Sequence, residues 1–125
     1  MNYIAIILAA VLYFVLGKIW YGSIFGRAWR KETHRTGSDK PTSRQFLLVG
    51  LFALMLSTGT SLLIESAVTL LDGLVSGLLL GLLIVMPIVL SEHVWDKKST
   101  TLVLINAGFY VFYLTLICGL FTFFA

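Results

Sequence analysis

Charged side chains are confined to short stretches of this chain, and long apolar runs lie between them. Residues 1–17 carry no charge, and beyond the lone Lys18 the apolar run continues to Gly26. Residues 45–64, 73–91 and 99–125 are likewise uncharged or nearly so. An α-helix needs about 20 residues, at about 1.5 Å each, to cross a hydrocarbon core of about 30 Å. The pattern therefore predicts four transmembrane helices, near residues 3–22, 44–65, 73–94 and 100–123. A lipid-exposed backbone must bond to itself, so the alternative is a closed barrel. Barrel strands alternate in polarity, and the run Leu78-Leu79-Leu80-Gly81-Leu82-Leu83-Ile84-Val85 does not. Local signals mark the ends. Lys40-Pro41 closes the first loop, with Thr42 or Ser43 placed to cap the second helix. Asp72 before Gly73 is expected to cap the third, where its charge suits the helix dipole, and Ser99 or Thr100 the fourth. Pro87 should kink the third helix, because it lacks an N–H and crowds the Leu83 carbonyl.

Composition agrees with lipid as the solvent. The 125 residues, enough for one domain, are 58% hydrophobic and 12% charged, against about 45–50% and about 25% in soluble domains. A soluble globule this small cannot hide so much apolar surface. The net charge of +3 does not point to nucleic acid, because the basic residues flank apolar runs instead of sharing one water-facing surface with aromatics between them. The one cysteine, Cys118, lies within an apolar run and is expected to behave as a small hydrophobe.

Charge also orients the chain. Lys18, Arg27, Arg30, Lys31, Arg35, Lys40 and Arg44 belong to the first loop or its margins, and Lys97 and Lys98 to the third. The two ends and the second loop hold no basic side chain. The positive-inside rule then places loops one and three in the cytoplasm and both termini outside. The three tryptophans, Trp20, Trp29 and Trp95, fall at the same expected interface, where indole rings favour the headgroup region. A secretory signal peptide is not expected, since Met1-Asn2-Tyr3 offers no basic start and no small-residue cleavage site follows. Residues 23–31 form a short amphipathic segment. Ile24, Phe25, Ala28 and Trp29 can face lipid while Arg27, Arg30 and Lys31 face water and anionic headgroups.

Within the spans, Gly73, Gly77 and Gly81 recur every fourth residue, a spacing that lets another helix backbone approach closely. The partner can be another helix of the same chain or a second copy. Ser57, Ser61 and Glu65 share one face of the second helix, with Thr58 beside them. The hydroxyls can bond their own backbone while Glu65 sits at the outer interface, or the stripe can face a bundle interior. Lys18, Glu92, Asn106 and Tyr110 are placed at related depths in the cytoplasmic half, with Tyr113 on the face of Asn106. They form a candidate polar cluster in which Lys18 pairs with Glu92; alternatively Lys18 snorkels to the headgroups and Glu92 reaches water. Gly73 is expected to matter less than its fellows, being nearest the helix end.

No catalytic or metal signature is present. Glu92-His93 has no second histidine at a ligand spacing, His34 lies in the first loop, and neither a phosphate-binding glycine loop nor a nucleophile elbow occurs. No cofactor is expected. Two segments do resemble a known family. Leu16-Gly17-Lys18-Ile19-Trp20-Tyr21, continuing through Phe25-Gly26-Arg27-Ala28-Trp29, is similar to the opening of small bacterial membrane proteins grouped as domain-of-unknown-function family 1761. Ile105-Asn106-Ala107-Gly108-Phe109-Tyr110 is similar to their closing motif. Gly22-Ser23 stands where that family often has Ser-Pro, and Tyr110 where it often has histidine. The resemblance implies a four-helix fold in a bacterial inner membrane and supplies no activity. Three roles fit these features. The foremost is a structural or interaction protein that packs with itself or another membrane protein. An oligomeric channel or small-solute transporter comes next, and a lipid-active enzyme using Glu92, His93 and Asn106 last.

Overall fold

A computed structural model describes residues 2–33, 42–96 and 99–124; His34, Arg35, Lys40, Pro41, Lys97 and Lys98 lie outside the described residues. Among those described there is no strand. The chain forms α1 (Tyr3–Ile24), α2 (Gly26–Thr33), α3 (Ser43–Leu63), α4 (Leu70–Trp95) and α5 (Thr100–Phe123). Four of these, α1, α3, α4 and α5, have 22, 21, 26 and 24 residues and are apolar enough to cross a membrane. The protein is an all-α membrane bundle of four spanning helices with a short helix, α2, after the first.

The helix ends follow from local chemistry. Asn2 caps α1, its Oδ1 accepting from the Ala5 N–H at 3.1 Å. Thr42 caps α3 in a reciprocal box, its Oγ1 accepting from Gln45 N–H while the Gln45 side chain accepts from Thr42 N–H. Ser99 caps α5 through the Leu102 N–H at 3.2 Å. At α4 the expectation is corrected. The helix starts at Leu70, three residues before Gly73, and the cap is Thr69. Asp72 sits in the first turn, accepting from the Thr69 and Val68 N–H groups while Thr69 Oγ1 accepts from its own. Thr69 and Asp72 stand three apart, and that spacing makes the box.

Two turns are wider than an α-helix. Pro87 has no N–H to give Leu83, and α4 opens over Gly81–Val85 to i→i+5 bonding, ended by Met86 N–H on the Gly81 carbonyl. A second such turn, Ile19–Ile24, closes α1, with Phe25 N–H on the Trp20 carbonyl at 2.9 Å. Phe25 then leaves helical geometry, and its carbonyl accepts the Trp29 N–H that starts α2.

Helix α5 is the centre of the bundle. Of its most apolar window 56% is buried, against 22% for α1 and α3 and 17% for α4. Helices α1, α3 and α4 all pack on α5, and α1 also packs on α3, whereas α4 has its extensive contact with α5 alone. Small buried residues, Ala5 and Ala9 on α1 and Ala53, Ser57 and Ser61 on α3, suit the close approach of those two helices. Outward, the surface is apolar: Ile4, Leu47, Leu71 and Leu83 are each exposed. Water would penalise such a surface heavily, whereas hydrocarbon does not.

Candidate functional site

The glycines of α4 meet α5. A Cβ on Gly81 would come within 2.7 Å of the Val111 Cα; one on Gly77 would overlap the Leu114 carbonyl and Thr115 Cα; one on Gly73 would overlap Thr122 Oγ1 and the Cys118 carbonyl. Backbone therefore lies on backbone along three turns. The contact at Gly73 is as close as the others, contrary to the expectation from its place near the helix end, because α5 runs beside α4 to Phe123. From the other side Leu74 fits over Gly119, where a Cβ would lie 2.8 Å from its Cδ2.

A polar and aromatic cluster joins α1, α3 and α5. Phe109, 1% exposed, is its hub, with Tyr13 edge-on at 5.3 Å, Tyr21 at 5.4 Å and Tyr113 stacked at 6.0 Å between ring centroids. Polar atoms are satisfied around this hub. The Tyr113 hydroxyl donates to the Ala9 carbonyl at 2.5 Å and lies 3.4 Å from Ser57 Oγ, which itself lies 2.7 Å from the Ala53 carbonyl. Tyr21 Oη donates to Asn106 Oδ1 at 2.9 Å, and Trp20 Nε1 to the Ile105 carbonyl at 3.0 Å. Tyr110 is half-buried against Phe109, and its hydroxyl is beside that of Tyr13. Thr60 and Thr58 bond back to the Leu56 and Leu54 carbonyls, while Glu65, at the end of the same stripe, is exposed.

The expected union of Lys18, Glu92, Asn106 and Tyr110 does not form. Lys18 and Glu92 are both exposed, and they sit on α1 and α4, which have no extensive contact with each other. Asn106 bonds Tyr21 instead. The sequence carried a signal for that bond: Tyr13, Gly17 and Tyr21 recur every fourth residue along α1, and Gly17 admits the Phe109 ring at 4.0 Å from its would-be Cβ. Trp20 is a packed residue, stacked on Phe112 at 5.8 Å. Trp29 is half-buried against Tyr21, and Trp95 is 81% exposed at the end of α4. Arg27, Arg30 and Lys31 are all exposed along α2. His93 Nδ1 is buried without a hydrogen bond among the described residues.

Open depressions complete the surface. One of about 770 Å³, at the end of the bundle near Asn2 and Phe124, is lined by Tyr3, Ser61, Glu65 and Phe121. Two apolar ones, of about 500 and 280 Å³, follow the cleft between α1 and α4 above α5. Among the described residues no group of three or more His, Cys, Asp or Glu side chains comes together to hold a metal ion. The chemistry on display is neutral hydrogen bonding within a packed interior.

Residues 4–122 match the family described as protein of unknown function (DUF1761). No curated protein and no solved structure matches the chain.

Proposed function

The chain belongs to the DUF1761 family, whose description assigns no activity, and from the geometry we propose a structural or interaction role as a small polytopic protein of the bacterial inner membrane. In this reading it associates with itself or with another membrane protein, loops one and three lie in the cytoplasm, and α2 rests on anionic headgroups. One observation carries the role. No charged side chain whose burial is described is buried, and Tyr113, Tyr21, Asn106 and Trp20 bond one another or the backbone. An interior of this kind holds helices together and offers no charged step for an ion within one copy. The test pairs mass measurement in mild detergent with ion flux in proteoliposomes. A dimer or larger assembly without flux is expected. A monomer at every concentration, or flux above that of protein-free vesicles, overturns the reading.

The transporter reading keeps one specific support. Wide turns of this kind concentrate at functional sites; of the two here, Ile19–Ile24 closes α1 and Gly81–Val85 lies within α4, both helices that pack on α5. Flux in the same vesicles, lost on Asn106→Leu in a variant that still melts cooperatively, would favour it.

A further inference from the structure

The cleft between α1 and α4 has a floor, two walls and one charged end. Its floor is α5, at Leu104, Gly108, Phe112 and Leu116; its walls are Leu12 and Trp20 on α1 and the leucine stripe Leu70, Leu74, Leu78 and Leu82 on α4. That stripe arises because every fourth residue of a helix lies on nearly the same face. The cleft exists because α4 is held by α5 and stands clear of α1.

No polar group in it asks for a polar ligand. Thr115 spends its hydroxyl on the Val111 carbonyl at 2.7 Å, and Trp20 spends its N–H on Ile105. The larger depression, about 500 Å³, lies toward the end where α1 passes into α2. Trp20 lines it and packs on Phe25 at 4.9 Å, one residue before α2 begins. Arg27, Arg30 and Lys31 follow, all exposed, while residues 45–91 and 99–125 contain no lysine or arginine. The described cationic side chains thus gather at the end of the molecule where the wider half of the cleft opens. An apolar slot at the end of the molecule that carries these three exposed cations suits a molecule with an acyl tail and an anionic head.

We infer that the wider half of the α1–α4 cleft is a binding site for one acyl chain of an anionic phospholipid, whose headgroup is held by Arg27, Arg30 and Lys31 of α2. This goes beyond the structural role proposed above and does not depend on self-association. It differs from general wetting by the bilayer in two respects: the site prefers anionic heads, and filling the slot abolishes it. The preference arises because each basic side chain near the headgroup adds attraction that a zwitterionic lipid does not return.

The experiment is native mass spectrometry of the whole protein released from mild detergent. The probes are phosphatidylglycerol and phosphatidylcholine with identical acyl chains. Retention of phosphatidylglycerol should exceed that of phosphatidylcholine by at least about fivefold. Leu82→Trp, at a position that lines the cleft and is 41% exposed, should remove the retained lipid of both kinds. The triple variant Arg27→Gln, Arg30→Gln, Lys31→Gln changes only exposed side chains; it should keep a bound lipid and lose the preference. Equal retention of the two lipids by the wild type overturns the inference, as does an unchanged preference in the triple variant. A second copy seated in the cleft, seen as a dimer that Leu82→Trp dissociates while bound lipid stays unchanged, overturns it too. Should Leu82→Trp fail to fold, the triple variant decides alone.

Discussion

Tyr113 makes its hydroxyl bonds where no water competes: it is fully buried, with Ala9 and Ser57 from two other helices as partners. Hydrogen bonds between membrane helices are worth about 0.6 kcal/mol on average, up to about 1.7. Tyr113→Phe should therefore cost about 1 kcal/mol of stability in a reversible detergent-unfolding titration, with the ring packing on Phe109 retained. A tenfold larger loss would mean that the hydroxyl organises more than these contacts. The Tyr21–Asn106 bond and the unformed Lys18–Glu92 pair offer a sharper contrast. A double-mutant cycle of Tyr21→Phe with Asn106→Leu should show a coupling of about 0.5–1.5 kcal/mol. The cycle of Lys18→Met with Glu92→Gln should show none beyond about 0.3 kcal/mol, because both side chains are exposed on helices that have no extensive contact with each other. Coupling in the second cycle would contradict the helix arrangement itself.

On the element scale, the α4–α5 seam and the start of α4 make separate predictions. Any Cβ on Gly77 or Gly81 meets backbone of α5, which cannot turn aside as a side-chain tip can. Gly77→Ala and Gly81→Ala should each cost about 1–3 kcal/mol, in the range of overpacked cores, and the leucine variants more. Gly73→Ala should cost as much as Gly81→Ala, since the Cys118 carbonyl blocks it even after Thr122 rotates. Gly59 is the control. Nothing lies within 4 Å of its would-be Cβ, so Gly59→Ala should be neutral or stabilising by up to about 1 kcal/mol. Equal losses at Gly59 and Gly77 in the same unfolding titration would dissolve the seam. At the start of α4, Thr69→Ala removes the acceptor for the Asp72 N–H and should cost about 1 kcal/mol. Ser43, one of two candidate caps for α3, lies inside the helix, so Ser43→Ala should change stability little.

For the whole molecule, orientation is the property most open to direct measurement. With loops one and three cytoplasmic, cysteines introduced at Ser38 and Ser99 should resist an impermeant thiol reagent in intact cells, and one at Thr69 should react. The native Cys118 is fully buried and should stay silent in the control. Labelling in the reverse pattern would invert the topology and move α2 to the outer leaflet, taking with it the reading of its cations as cytoplasmic headgroup ligands. The unequal burial of the helices has a further consequence. Since α4 is fastened to the rest through α5, seam variants should loosen α4 before α1 and α3 separate, which hydrogen exchange would show as early deuteration of residues 70–95.

Much of this architecture is legible in the linear chain, for a physical reason: the solvent is a slab of known thickness. An uncharged run of about 20 residues has one way to satisfy its backbone there. Hence helices expected near 3–22, 44–65 and 100–123 lie at Tyr3–Ile24, Ser43–Leu63 and Thr100–Phe123, and Thr42 and Ser99 are caps, since caps act within three residues. The start of α4 lies three residues before the expected one because two acceptable caps, Thr69 and Asp72, compete there and both take part. Neighbour relations are another matter. Helices that are apolar all round, in a solvent as apolar as leucine, announce no preferred face, so nothing local says that α5 is central or that α4 stands apart from α1. Depth along the membrane, which the sequence does encode, put Lys18, Glu92 and Asn106 at one level. Only the tertiary structure decided that the helices of the first two do not pack on each other, that Asn106 turns to Tyr21, and that the glycine seam is spent within the chain.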